Sequence, residues 1–200
     1  MNLFDNNLIT NLLPQDGTVN YYGKIMAHTQ AQAYYEALLE TTAWKNDEAI
    51  IFGKHIVTAR KVAWYGDHTF AYTYSKITKQ ALLWTPTLIR LKTLVETISG
   101  TSYNSCLLNL YHSGQEGMGW HSDDEKTLQH HASIAALSFG AERKFAFKHK
   151  QNGQNVSLNL ENGSLLVMKD ATQSHWLHQL PKTTKVKTPR ISLTFRSIVL

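Results

Sequence analysis

The sequence predicts an α+β protein that is mainly β, because a helical first half is followed by a second half of short strands. Apolar residues recur every three or four positions in two segments before residue 100, which is the spacing of a buried helix face. From about residue 103, short runs rich in β-branched and aromatic residues alternate with turns. Such a pattern indicates a sandwich or barrel, and a jelly roll fits it.

The two predicted helices differ in how clearly their ends are marked. Their apolar faces consist of Ala31, Tyr34, Tyr35, Leu38 and Leu39 in the first helix, and of Leu88, Leu91, Val95 and Ile98 in the second. Thr29 is the predicted N-cap of the first helix. Thr85 caps the second helix ahead of Pro86 in its first turn. Gly100 is expected to end it.

Seven strands are predicted after residue 103. They are YNSCLLNLYHSG, ASIAALSFG, RKFAFKHK, VSLNL, GSLLVMK, HWLHQL and RISLTFRSIV. A chain of 200 residues with 42% hydrophobic content can bury a full core. We therefore expect one domain over residues 26–200, with its jelly-roll core at about 103–200, and an N-terminal extension over residues 1–25.

Charge and cysteine content restrict the class of protein. The single cysteine, Cys106, excludes an internal disulfide and a cysteine-based zinc cluster, which favours a reducing compartment. The N-terminus lacks a signal-peptide pattern, and no segment approaches the roughly 20 apolar residues that cross a bilayer. We expect a protein of the cytoplasm, or of the nucleus in a eukaryote. The net charge of +5 makes a polyanionic partner plausible.

The stretch GMGWHSDDEKTL contains a candidate metal site. An extended chain points residues i and i+2 to the same side, so His121 and Asp123 can reach one ion. A third ligand is available downstream from His175 or His178, whose spacing of three lets at most one of them point inward on a strand. Two histidines and a carboxylate hold Fe(II) in non-haem oxygenases and zinc in hydrolases. A solvated turn remains the alternative.

The final strand carries a polar face with an arginine at each end. Arg190 and Arg196 alternate with apolar residues, and a small dianion fits between two guanidinium groups at this separation. An earlier strand places Asn109 and Tyr111 on one face, where both can donate hydrogen bonds to a carboxylate. This pair of arginines favours an iron oxygenase over a zinc hydrolase, because a zinc hydrolase would have no use for the two arginines.

The order N-x-Y, H-x-D, a distant histidine and R-x5-R resembles the AlkB family of Fe(II)- and 2-oxoglutarate-dependent dioxygenases. NLYHSGQEGMGWHSDDE, SLLVMKDATQSHWLHQLPK and PRISLTFR are similar to its DNA-repair members. The resemblance covers about three-quarters of the chain, from IIFGK to the C-terminus. It implies a double-stranded β-helix, which is a jelly roll, preceded by helices and covered by a nucleotide-recognition lid at about residues 45–80.

The resemblance also implies a set of residue roles. His121, Asp123 and His178 would bind Fe(II), whereas His175 would support the site or pack beside it. Arg190 and Arg196 would hold the two carboxylates of 2-oxoglutarate, helped by Asn109 and Tyr111. With O2, such enzymes remove the N-methyl group of 1-methyladenine or 3-methylcytosine and release formaldehyde, succinate and CO2.

Further residues match positions that contact the nucleic acid in the DNA-repair members of the family. Asp124 would face the damaged base, and Tyr74, which shares a strand face with Tyr72, would stack on it. Phe52, followed by Gly53, would fill the gap left by a flipped base, since a methyl group on the Watson–Crick edge is unreachable inside a duplex. Arg60 would contact DNA nearby. The alternatives are an ordinary hairpin whose Phe52 lies in the core and a solvated Asp124.

Basic residues are available to neutralise phosphates. They are Arg143, Lys144, Lys148, Lys150, Lys182, Lys185 and Lys187. Thr183 and Thr184 interrupt the last of these clusters, which leaves open whether double-stranded DNA, single-stranded DNA or RNA is preferred. We expect a monomer that acts on alkylated DNA without a membrane partner. An RNA demethylase and a non-catalytic binder of damaged DNA are the alternatives.

Overall fold

A computed structural model describes residues 10–51, 54–69, 71–74, 77–125 and 127–199. Its helices are α1 (His28–Thr41), α2 (Pro86–Ser99) and α3 (Thr172–His175). Its strands are β1 (Thr18–Lys24), β2 (Lys45–Ile51), β3 (Lys54–Gly66), β4 (Ala71–Tyr74), β5 (Ile77–Gln80), β6 (Leu82–Leu83), β7 (Ser105–Tyr111), β8 (Met118–His121), β9 (Ile134–Gly140), β10 (Arg143–His149), β11 (Asn155–Leu160), β12 (Ser164–Lys169), β13 (Trp176–Leu180) and β14 (Arg190–Arg196). The predicted mainly β fold is confirmed.

Two sheets form the jelly roll. The major sheet has the strand order β1-β12-β9-β14-β7-β3-β2, with β6 paired to β3, and the minor sheet has the order β11-β10-β13-β8. Strands β4 and β5 form a separate hairpin. Because β14 lies between β9 and β7, its polar face occupies the centre of the major sheet.

Each face of the major sheet has its own hydrophobic core. One core packs the sheet against the first two helices, with Leu38 of α1 and Leu91 of α2 fully buried against Leu108 and Leu193. The second core joins the two sheets, for example through Leu166 of β12 and Phe147 of β10. The helices therefore cover the outer face of the sheet, and the inner face is left for the functional site.

The predicted caps of α2 are present in the structure, whereas the predicted N-cap of α1 is not. The Thr85 side chain accepts a hydrogen bond from the Leu88 amide at 3.3 Å, and Gly100 ends α2 with a positive φ of 68°. Thr29 as N-cap is wrong, because α1 begins at His28 and its N-cap residue is Ala27. None of the helices within the described ranges is long and apolar enough to cross a membrane.

Residues 10–24 are part of the jelly roll. Strand β1 pairs with β12, and Leu13 and Val19 are buried in the core between the sheets. The indole of Trp176 donates a hydrogen bond to the Gln15 carbonyl at 3.0 Å. The predicted boundary at residue 25 therefore does not coincide with a structural boundary, because an edge strand added to the major sheet carries no signal of its partner in the sequence.

Candidate active site

Three predicted metal ligands meet on the minor sheet. His121 at the end of β8 and His178 on β13 are cross-strand partners, with ring centroids 4.2 Å apart. Asp123 follows β8, and its Oδ1 lies 3.7 Å from His121 Nε2 and 3.9 Å from His178 Nε2. Ligand atoms of all three lie within 4.8 Å of one another. Three ligand atoms gathered this closely form a candidate site for one metal ion.

The protonation states of this cluster suit a divalent cation. Burial lowers the pKa of His178 to about 4, so its imidazole is neutral and can donate a lone pair. Burial alone would raise the pKa of Asp123, but the charge of Arg196, and after it the two imidazoles, bring the pKa below its ordinary value. The donor set therefore consists of a carboxylate and at least one buried neutral imidazole.

Neighbouring groups orient the first two ligands. His121 Nδ1 lies 2.8 Å from the Gly119 carbonyl, which only accepts, so Nδ1 carries the proton and Nε2 is left for a metal. The Asp123 amide donates to Gln173 Oε1 of α3 at 2.9 Å. Lys150 in turn donates to the Gln173 carbonyl at 2.8 Å. These contacts keep the cluster in place before any ion binds.

The two arginines of β14 lie at opposite ends of the inner face. Arg196 Nη2 donates to Asp123 Oδ2 at 2.7 Å, which places this guanidinium beside the metal ligands. Arg190 is 2% exposed, and its Nη2 donates to Ser138 Oγ at 2.9 Å. Its guanidinium carbon lies 5.8 Å from the centre of the Tyr111 ring. Burial lowers the pKa of Arg190 to about 10, yet it remains a cation at neutral pH.

The strand face that carries the two arginines includes buried polar atoms that lack hydrogen-bond partners. Among the described residues, Asn109 Oδ1, Arg190 Nε and Arg196 Nε are buried without a hydrogen bond. Strand register brings Asn109 opposite Ser192 and Tyr111 opposite Arg190, which puts them on the arginine face. Unpaired buried donors are rare and costly unless a ligand satisfies them. A dicarboxylate supplies the acceptors that the two guanidinium groups lack.

Comparison with known proteins agrees with this geometry. The sequence model of the 2OG-Fe(II) oxygenase superfamily matches residues 18–196. The chain is 39% identical over 179 residues to the Bos taurus alpha-ketoglutarate-dependent dioxygenase alkB homolog 3, covering 84% of this chain and 62% of that protein. It is 42% identical over 158 residues to the Homo sapiens DNA oxidative demethylase ALKBH2, covering 75% and 60%. The chain belongs to the AlkB family.

This AlkB-family chain spans about three-fifths of the length of these relatives. The solved structure of OsALKBH1 matches it with a TM-score of 0.62 at 12% identity, over 92% of this chain and 98% of the other. That likeness supports the fold alone. The superfamily uses Fe(II), 2-oxoglutarate and O2, and the clustered His121, Asp123 and His178 together with the unpaired arginine donors fit the first two of these.

The residues predicted to contact nucleic acid are only partly described. Asp124 is exposed, accepts a hydrogen bond from Ser122 Oγ at 3.2 Å and lines a cavity of about 290 Å³ next to Asp123. Phe52 and Gly53 lie outside the described residues. The backbone of Tyr72 and Tyr74 lies on β4, but their side chains are outside the described part.

Arg60 lies inside the protein in this AlkB-family chain. Its side chain is only 11% exposed, forms an ion pair with Asp47 and faces Tyr111. The family resemblance implies a contact between Arg60 and DNA, which stays a prediction. In the described arrangement the guanidinium is turned towards the Tyr111 ring and away from solvent, because Asp47 on the neighbouring strand holds it there.

The prediction that Arg143 neutralises phosphates is wrong, because the side chain is 2% exposed. Its guanidinium donates to the carbonyls of Ser113, Glu116 and Pro181, at 3.2, 2.9 and 2.9 Å respectively. It thereby joins the loop after β7 to the loop after β13. A Cβ on Gly114 would lie 2.4 Å from the Thr183 carbonyl, so these loops approach as closely as glycine allows.

His175 lies apart from the metal cluster. It ends α3, where its ring stacks on that of His149 with the centroids 6.3 Å apart, and with Asp16 these residues form a second group of potential ligand atoms. Backbone amides of Gln151 and Asn152 donate to His149 Nδ1, so Nε2 carries the proton and donates to Asp16 Oδ2 at 3.1 Å. This proton opposes metal binding at Nε2, and the contact ties the N-terminal segment to β10.

Proposed function

We propose that this chain is an Fe(II)- and 2-oxoglutarate-dependent oxidative demethylase of N-alkylated bases in DNA, with 1-methyladenine and 3-methylcytosine as substrates. The observation that carries the proposal is the position of the His121, Asp123 and His178 cluster beside Arg196 of β14, with Arg190 buried at the other end of the strand without a carboxylate partner among the described residues. A relative bearing the name DNA oxidative demethylase ALKBH2 supports the choice of substrate.

The protein contributes binding and orientation to this reaction. Bound iron, with 2-oxoglutarate and O2, supplies the oxidation that hydroxylates the N-methyl group, after which formaldehyde leaves and succinate and CO2 remain as co-products. His121, Asp123 and His178 hold the iron. Arg190 and Arg196 bind the two carboxylates of the cosubstrate, assisted by Asn109 and Tyr111, and Arg196 also fixes the orientation of Asp123.

Recognition of the damaged base relies on charge and stacking. Both substrates are cationic, and the exposed carboxylate of Asp124 next to the iron ligands attracts them. Tyr74, on the same strand face as Tyr72, stacks on the extruded base. Lys144, Lys182 and Lys185 line a groove that also contains Trp120, and these cations neutralise phosphates along the strand.

Mass analysis of a 1-methyladenine oligonucleotide tests the proposal directly. Incubation with the protein, Fe(II), 2-oxoglutarate and O2 should lower the mass of the oligonucleotide by about 14 Da, because the methyl group leaves as formaldehyde and a hydrogen takes its place. Roughly one succinate should form for each repaired base. A chelator should stop the reaction. Turnover of methylated RNA without turnover of DNA would favour the RNA demethylase, and binding of damaged DNA without succinate release would favour the non-catalytic binder.

We further propose that the enzyme acts as a monomer on double-stranded DNA, in the cytoplasm or in the nucleus of a eukaryote. In this proposal Phe52 acts as a wedge, which would favour a duplex, since filling the gap left by a flipped base offsets an unstacking cost that a single strand does not have. Light scattering during gel filtration checks the monomer.

Phe52→Ala should lower the repair rate of a methylated base in a duplex by at least about tenfold, because the unstacking cost of a few kcal/mol is no longer offset. Repair of the same base in a single strand should barely change. Parallel kinetics on the two substrates measure the difference. If both rates fall together with the melting temperature, Phe52 is a core residue and the duplex preference loses its support.

A further inference from the structure

The ring of Tyr111 lies close to guanidinium groups from two different parts of the fold. Arg190 of β14 approaches it to 5.8 Å from the ring centre, and Arg60 of β3 approaches it to 6.0 Å. Arg190 comes from the strand that carries the predicted cosubstrate contacts. Arg60 comes from the hairpin of β2 and β3, within the segment that the sequence predicts to be the lid.

Arg60 is held firmly in this position. It pairs with Asp47 on β2, and its Nη1 lies 3.4 Å from the Met118 sulfur on β8. Both side chains of the ion pair are largely buried, with 11% of Arg60 and 16% of Asp47 exposed. Buried, charge-assisted contacts of this kind restrict a side chain much more than a surface ion pair does. The contact with Tyr111 is therefore a fixed feature of the hairpin.

The charge of Arg60 persists in this environment. Burial alone would lower the pKa of Arg60, but the Tyr111 hydroxyl and the Asp47 carboxylate raise it above its ordinary value. A guanidinium within about 6 Å of the centre of a tyrosine ring is attracted to the ring, and the attraction is stronger where the pair is shielded from water. The ring of Tyr111 is thus restrained by a cation of the hairpin as well as by a cation of β14.

We propose that Arg60, on the hairpin of β2 and β3, is a positioning residue that increases the affinity for 2-oxoglutarate. It does so by holding the Tyr111 ring in place. This inference rests on the proposed function, in which Tyr111 donates its hydroxyl to a cosubstrate carboxylate. Without Arg60, the ring gains rotational freedom that is lost again when the ligand binds, so cosubstrate affinity falls even when no nucleic acid is present.

Isothermal titration of 2-oxoglutarate into the Mn(II)-loaded protein, without nucleic acid and without turnover, tests the proposal. Arg60→Ala should raise the dissociation constant by about fivefold. Arg90→Ala is the matched control, since Arg90 lies on the exposed face of α2 and, among the described residues, donates a hydrogen bond only to Thr87, at 3.1 Å. The dissociation constant of this variant should equal that of the wild type. Arg60→Met retains the apolar stem and serves if the alanine variant unfolds.

A second pair of variants shows whether Arg60 acts through Tyr111. In a Tyr111→Phe background the hydroxyl is already absent, and adding Arg60→Ala should change the dissociation constant by less than about twofold. A 2-oxoglutarate affinity unchanged in Arg60→Ala, with a raised KM for the oligonucleotide, would overturn the proposal and assign Arg60 to nucleic-acid contact. Failure of the wild-type protein to bind 2-oxoglutarate would instead overturn the proposed function.

Discussion

Asp123→Ala and His178→Ala should each abolish demethylation, whereas His175→Ala should keep much of the wild-type rate. The first two variants remove an oxygen or nitrogen ligand from a cluster whose atoms lie within 4.8 Å of one another. His175 lies in a different group, with His149 and Asp16, and stacks on His149. His175 and His178 are three residues apart in the sequence, so their alanine variants form a matched pair.

Metal content provides the second measurement for these variants. Iron bound after anaerobic loading and desalting should be lost from the Asp123 and His178 variants and retained by the His175 variant. Circular dichroism and melting curves show whether each variant is folded. Equal loss of iron from the two histidine variants would mean that the choice of His178 as the ligand is incorrect.

Arg190→Met and Arg196→Met should both lower the affinity for 2-oxoglutarate by about a hundredfold, since each removes charge-assisted hydrogen bonds together worth roughly 3 kcal/mol. Their effects on stability should differ. Among the described residues no carboxylate pairs with Arg190, whose burial lowers its pKa, so replacing it should leave the metal-free protein as stable or more stable. Replacing Arg196 removes the partner of a buried carboxylate.

The stability difference is measured by urea unfolding of the metal-free protein. Arg196→Met should lose about 3 kcal/mol of unfolding free energy, because the Asp123 carboxylate is left unpaired at 4% exposure. Arg190→Met should lose none within about 0.5 kcal/mol. A large loss of stability in the Arg190 variant, with the affinity for 2-oxoglutarate unchanged, would show that this arginine is structural.

The parts of the fold and site that could be predicted from the sequence depend on local spacing. Side-chain direction along a strand has a period of two. Alternation in β14 therefore predicted that Arg190 and Arg196 share a face. The same spacing predicted that His121 and Asp123 point to one side of an extended chain. Thr85 and Gly100 marked the ends of α2 because capping acts within one helical turn.

The features that were missed depend on contacts between distant segments. Arg143 looks like any other basic residue in the sequence, because its four carbonyl partners belong to loops that lie 27 to 38 positions away from it. The burial of Arg60 requires Asp47 and Tyr111 to meet across three strands. The short helix α3 ends at His175, so the strand spacing assumed for this histidine did not apply.

The central place of β14 in the major sheet affects how the protein folds during synthesis. Residues 190–196 are synthesised after β7 and β9, the two strands that they separate, so each of these strands keeps one edge unpaired until β14 has been made. Strand β1 likewise waits for β12, about 150 residues later. Nascent chains therefore expose unpaired strand edges throughout translation, and we expect them to depend on chaperones before release.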